Sequence, residues 1–120
     1  MEIKIENLTK AYGDFKAVDN MNLNIADGEL VGLLGPSGCG KSTTLFMLAG
    51  LNDPTSGHIY FGGKDVTKVA PEDREIGLVF QNYALYPHMT VADNIMFPLI
   101  NRKVPKAEAR ERAQEMAKLV

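Results

Sequence analysis

Gly35-Pro36-Ser37-Gly38-Cys39-Gly40-Lys41-Ser42 fills the pattern G-x-x-x-x-G-K-[ST] at every fixed position. Glycines at these spacings let backbone N–H groups turn inward around a polyphosphate, because no Cβ blocks the approach. A helix opening directly after the loop aims its N-terminal amides and positive dipole end at the same anion. Lys41 adds a charge for the β- and γ-phosphates, and Ser42 offers a hydroxyl to Mg²⁺. The alternative is a bare glycine-rich turn between strand and helix. The flanks favour phosphate: Leu30-Val31-Gly32-Leu33-Leu34 reads as a short, nearly all-apolar strand at the centre of a covered sheet. A helix pattern then runs from about Lys41 to Ala49.

Upstream of the loop, Ile3, Ile5 and Leu8 begin a strand region, and Tyr12-Gly13-Asp14-Phe15 reads as a hairpin turn. Val18 to Ile25 alternates, with Met21, Leu23 and Ile25 on one face and Asn20, Asn22 and Asn24 on the other. Downstream, His58 to Phe61 is a short strand closed by Gly62-Gly63, and Pro71 to Glu75 is a charged turn or helical start. Ile76 to Phe80 reads as a second apolar strand, residues 81–90 as a loop, and Val91 to Phe97 as a short amphipathic helix. From Pro105 a last helix carries the stripe Ala109, Ala113, Met116, Ala117 and Val120, with Glu108 and Arg112 placed as an i,i+4 pair. That stripe runs to Val120 with no cap after it, so the chain is expected to be the beginning of something longer.

Composition narrows the function. The 120 residues carry 13 Lys+Arg against 15 Asp+Glu, a net charge of −2, which argues against a strongly basic nucleic-acid binder. One cysteine, Cys39, excludes an internal disulfide framework and fits a reducing compartment. No apolar run reaches the roughly 20 residues of a membrane span, and the N-terminus has no signal-peptide core. Cys39 is read as one small residue of the loop, His58 as a strand residue, and His88 as non-catalytic for want of a partner.

The phosphate loop alone does not separate an ATPase from a GTPase or a nucleotide kinase. The chain carries no guanine-selective Asn-Lys-x-Asp and no recognisable acceptor site. Further segments decide: Lys10-Ala11-Tyr12-Gly13, the loop through Thr43, Leu51 to Gly57, Asp73-Arg74-Glu75-Ile76-Gly77, and Val79-Phe80-Gln81-Asn82-Tyr83-Ala84-Leu85-Tyr86-Pro87-His88-Met89-Thr90-Val91. Together, and in this order, they resemble the ATP-binding subunit of ATP-binding-cassette (ABC) transporters. Residues 79–91 point to importers of sugars and related solutes, with polyamine and iron importers similar there.

The resemblance implies a partial phosphate-loop α/β core with an N-terminal antiparallel β-subdomain and the start of a helical subdomain. Residues 1–120 are then the N-terminal part of one ATP-binding domain: phosphate loop about 35–43, Q-loop about 81–90, helical lobe from about 91 to 120. It assigns ATP contacts to Tyr12, Val18, Gly35, Pro36, Ser37, Gly38, Cys39, Gly40, Lys41, Ser42 and Thr43. Tyr12 would stack on adenine, and Ser42 and Gln81 would reach Mg²⁺. Tyr83, Leu85, Tyr86 and Met89 would either dock a cytoplasmic helix of a membrane permease or pack on their own lobe. Implied partners are ATP, permease subunits and a second ATPase subunit at the cytoplasmic membrane face, with no nucleic acid.

The family's catalytic set is incomplete in these residues. After the phosphate loop no apolar strand ends in Asp-Glu, no LSGGQ-type signature occurs, and the two histidines fall too early for a switch residue. Phosphoryl transfer needs metal, water and charge positioned together. The 120 residues are therefore expected to bind nucleotide without hydrolysing it, and to self-associate through uncovered strand edges.

Overall fold

The structure is a computed structural model that describes residues 1–36, 38 and 40–120; Ser37 and Cys39 lie outside the described residues. The chain forms two units, Met1–Leu78 and Val79–Val120.

The first unit is built on a four-stranded antiparallel sheet in the order β2-β1-β3-β4. Its strands are β1 (Ile3–Tyr12), β2 (Phe15–Ile25), β3 (Ser56–Phe61) and β4 (Lys64–Asp65). Tyr12 pairs with Phe15 across the expected hairpin, with Gly13 at φ 61°. Ile5 and Leu8 are both fully buried although three residues apart, which a strict two-residue alternation forbids. A bulge resolves this. Asn7 adopts φ 49°, and the register shifts between Ile5 and Leu8. Asn20 does the same in β2. Side chains replace the lost ladder partners: Asn7 N donates to Asn22 Oδ1 at 3.0 Å, and Asn20 N to Thr9 Oγ1 at 2.9 Å.

Helix α1 (Lys41–Ala49) lays Met47 on this sheet, and Ile5, Leu8, Val18, Met47, Ile59, Phe61 and Val66 form the core. The chain then passes a single 3-10 turn, Pro71–Asp73, where the charged turn was expected.

Two expectations need correction. Residues 30–34 and 76–80 form no sheet ladder among the described residues. Leu30 and Leu34 are almost wholly exposed, at 100% and 97%, and Val79 is also exposed. A strand apolar on both faces needs a hydrogen-bonded neighbour and a cover on each side. Neither segment has a strand neighbour among the described residues, and only Ile76 of the two packs partly against the core.

In the second unit α2 (Val91–Asn101) packs on α3 (Lys106–Leu119) through Met96, Ala109 and Ala113, with Ile95, Leu99 and Val104 around them. The α2 helix runs four residues past Phe97, because Pro98 lies inside it rather than ending it. Thr90 caps α2, accepting from Asp93 N at 3.1 Å. Pro105 stands at the cap of α3, and Glu108 bridges Arg112 at 2.6 Å as the spacing predicts. Two of the five α3 stripe residues, Ala109 and Ala113, are covered; Met116, Ala117 and Val120 are exposed.

Candidate functional site: a glycine loop at a helix N-terminus

Gly40 caps α1 in the left-handed region, φ 92°, with no side chain bonded into the cap. A Cβ there would lie 2.4 Å from the Ala17 carbonyl oxygen and 3.3 Å from Val18 Cγ2. Glycine is thus required twice, by its backbone angle and by the close approach of β2. The first turn of α1 holds no acidic residue. No carboxylate of its own therefore offsets the positive dipole end there.

Lys41 Nζ donates to the carbonyl of Gly35 and, at 3.1 Å, to that of Pro36. These bonds hold the ammonium over the loop. Thr44 Oγ1 turns back onto the Gly40 carbonyl at 2.8 Å, and Ser42 is exposed beside it. Val18, Gly40, Lys41 and Thr44 line one hollow of about 260 Å³, with Leu33 and Leu34 on its wall. The structure thus brings Val18 beside the loop. Tyr12 does not line this hollow. It stands half exposed at the hairpin, and its hydroxyl accepts from Asn52 Nδ2 at 3.0 Å. The expected contacts Ser37 and Cys39 lie outside the described residues.

The opposite end of α1 is closed by a residue to which the sequence pattern gives no role. Arg74 is only 4% exposed. It donates to the carbonyls of Met47 at 2.9 Å, Leu48 at 3.1 Å, Val69 at 2.9 Å and Thr67 at 3.1 Å. Burial pushes its pKa down, and the Asp53 carboxylate opposes that. The guanidinium supplies the cation that a helix C-terminus favours, and α1 has no basic residue of its own in its last turn. Gly50 leaves room for it: a Cβ there would lie 2.7 Å from Arg74 Nε. No local pattern marks this contact, since 27 residues separate Arg74 from Met47.

A larger hollow, about 820 Å³, runs along Asp53 to His58 and Asp65 to Val69, and none of the expected nucleotide contacts lines it. There Asp65 accepts from Thr67 Oγ1 and N, at 2.5 and 2.9 Å, and from His58 Nδ1 at 3.0 Å. Its pKa lies below the usual carboxylate value, chiefly through the Thr67 side chain, with His58 adding to it.

In the second unit Gln81 is exposed on the expected loop. The four docking residues divide. Tyr86 packs its ring 5.0 Å from Phe97, and Met89 is half buried. Tyr83 and Leu85 are about three-quarters exposed. Asn94, which the sequence did not single out, holds the segment. Its Oδ1 accepts from Tyr86 N at 2.9 Å, and its Nδ2 donates to the carbonyls of Tyr86, Met89 and Thr90.

Among the described residues no group of three His, Cys, Asp or Glu could cage a metal, and no helix is long and apolar enough to cross a membrane. Divalent-ion binding would rest on hydroxyl, amide and phosphate oxygens, the donors Mg²⁺ takes.

A family model described as ABC transporter matches residues 18–120. The chain is 55% identical over 120 residues to an oligosaccharides import ATP-binding protein of Bacillus subtilis, covering 99% of this chain and 33% of that protein. It is 52% identical to a probable sulfate/thiosulfate import ATP-binding protein of Chlorella vulgaris, covering 100% of this chain and 51% of that one. An Fe(3+) ions import ATP-binding protein of Brucella abortus is 53% identical, with 98% and 33% covered. The chain thus spans between a third and a half of the length of these relatives. A dimeric ATP-binding cassette solved in a post-hydrolysis state with ADP and Pi superposes with a TM-score of 0.85 at 37% identity, over 97% of this chain and 56% of that one. On the family match, these relatives and the cassette fold it shares with solved structures, the chain belongs to the ABC transporter family.

Proposed function

We propose that the chain is the nucleotide-binding portion of an importer's ATPase subunit, taking Mg-ATP at the Gly35–Thr43 loop. One observation carries the reading: α1 opens on a left-handed glycine pressed against β2, with no side-chain cap and Lys41 folded over the loop. Gly38, Gly40, Lys41, Ser42 and Thr43 would hold the phosphates, Val18 would line their approach, and Tyr12 would take the adenine. Ser42 and Gln81 are the oxygen donors proposed for Mg²⁺, which when bound would neutralise phosphate charge. Exposed Tyr83 and Leu85 offer an apolar surface to a permease segment on the cytoplasmic side of the membrane.

The cargo we propose is carbohydrate, supported by residues 79–91 and by the oligosaccharide relative. Identity alone does not rank cargoes, since iron and sulfate relatives stand at 53% and 52%. Cells with the gene deleted should lose uptake of labelled maltodextrin and keep uptake of ferric iron and sulfate. Loss of iron or sulfate uptake instead would reassign the cargo.

Binding is tested by calorimetry with Mg-ATP. Lys41→Ala should weaken it strongly; equal affinity in the two proteins would overturn the phosphate-loop reading. Turnover is tested separately, because the acidic strand and signature are absent from these residues. Steady phosphate release that survives repurification and is abolished by Lys41→Ala would show the catalytic set to be complete.

A further inference from the structure

Tyr12 is fixed from two sides by residues that the nucleotide reading does not use. Lys10 stands two positions earlier on β1, on the same face, and its Nζ lies 5.3 Å from the centroid of the Tyr12 ring. That ammonium is itself tethered, donating to the Asp53 carbonyl at 2.6 Å. Asn52 holds the other handle, donating from Nδ2 to the Tyr12 hydroxyl at 3.0 Å. Asn52 and Asp53, the acceptor of the Lys10 ammonium, lie just after the cap of α1, where Leu51 N and Asn52 N donate to the Phe46 carbonyl at 2.9 and 3.3 Å. Thr55 stitches the same segment to β1, donating from N to the Thr9 carbonyl and accepting from Ala11 N.

From this arrangement we infer that Asn52 and Lys10 are positioning residues for base recognition by Tyr12. The inference rests on the ATP reading and deepens it. Lys10 covers one face of the ring and leaves the other to a purine. Asn52 bonds the hydroxyl, which holds the ring against rotation about its Cα–Cβ bond when the base arrives. An exposed aromatic that must be ordered on binding loses rotamer entropy at that moment; one already held does not. The anchors also tie the two ends of one nucleotide to one rigid element. The amino end of α1 carries the phosphate loop, and its carboxyl end carries the segment that holds Tyr12.

The test uses two ligands on the full chain. Mg-ATP needs both ends of the site, whereas Mg-tripolyphosphate needs only the loop. By calorimetry, Tyr12→Ala should weaken ATP by roughly tenfold or more, the loss of one stacked base, and leave tripolyphosphate unchanged. Asn52→Ala and Tyr12→Phe should each weaken ATP by about three- to tenfold, again sparing tripolyphosphate. Their double variant should bind no more weakly than the worse single one, because both remove the same bond. Lys10→Met should likewise weaken ATP alone.

If Tyr12→Ala weakens ATP but Asn52→Ala, Tyr12→Phe and Lys10→Met do not, the positioning role is wrong and base stacking survives. If Tyr12→Ala leaves ATP affinity intact, the stacking reading itself fails. Equal loss of both ligands in the anchor variants would mean that the residues act on the fold or the phosphates, and would overturn the inference.

Discussion

The Gly40 α-carbon faces the Ala17 carbonyl so closely that any side chain would collide with it: an added Cβ would sit 2.4 Å from that oxygen. The obstacle is backbone, which cannot swing aside as a side-chain tip could. Gly40→Ala should therefore cost roughly 2 kcal/mol or more of stability, combining left-handed strain with the clash. It should also abolish detectable ATP binding by displacing the first amides of α1. Urea denaturation and calorimetry on the same sample check both.

Arg74 makes a second prediction. Arg74→Met keeps most of the buried volume but removes the guanidinium from four carbonyls of α1 and the 67–69 segment, of which that of Met47 keeps Gly50 N, costing about 3 kcal/mol. Arg74→Lys should recover little, since one ammonium on a flexible stem cannot span the planar fork. Amide hydrogen exchange should show the loss first at the carboxyl end of α1.

A third prediction concerns acid. The Asp65 pKa lies below its ordinary value of 3.8, mainly because the Thr67 hydroxyl bonds the carboxylate. A group whose folded pKa is depressed stabilises the fold above its unfolded pKa, and that contribution is lost as pH falls through the lower, folded value. Carboxyl-carbon NMR should place the Asp65 midpoint under 3.8, and Thr67→Val should move it up. A midpoint unmoved by Thr67→Val would contradict the assigned cause.

The extended segments lead to a fourth. Leu30, Leu34 and Val79 are exposed on backbone that has no ladder partner among the described residues. Apolar side chains beside unpaired N–H and C=O groups form a template for another chain. Light scattering on dilute apo protein should show self-association, reduced by Leu30→Lys with Leu34→Lys. A monodisperse monomer at the same concentration would count against it.

Local chemistry was legible in the sequence; distant contact was not. The hairpin at Gly13-Asp14, helix α1 and the Glu108–Arg112 pair follow from turn residues and spacing, which act over a few positions. Apolar runs at 30–34 and 76–80 declare only that a segment is suited to burial, not what pairs with it, and so the strand reading failed there. The short helix read over Val91 to Phe97 continues through Pro98 to Asn101. Within the site the glycine loop is a contiguous motif, and Val18, named through the resemblance, lines the hollow beside it. The bonds from Arg74 to Met47 and from Asn52 to Tyr12 span 27 and 40 residues, and no periodicity connects such positions.

The Arg74 clamp has one more consequence, for how freely its neighbourhood can change. Every hydrogen bond it makes at residues 47, 48, 67 and 69 ends on a main-chain oxygen. A carbonyl is present whatever side chain its residue bears. Replacing Leu48 or Val69 by another aliphatic residue keeps the acceptor and asks nothing of Arg74, whereas Arg74 has no such substitute. Randomised libraries at these positions should return varied residues at 48 and 69 and a single solution at 74. One immobile letter thereby leaves its surroundings free to drift.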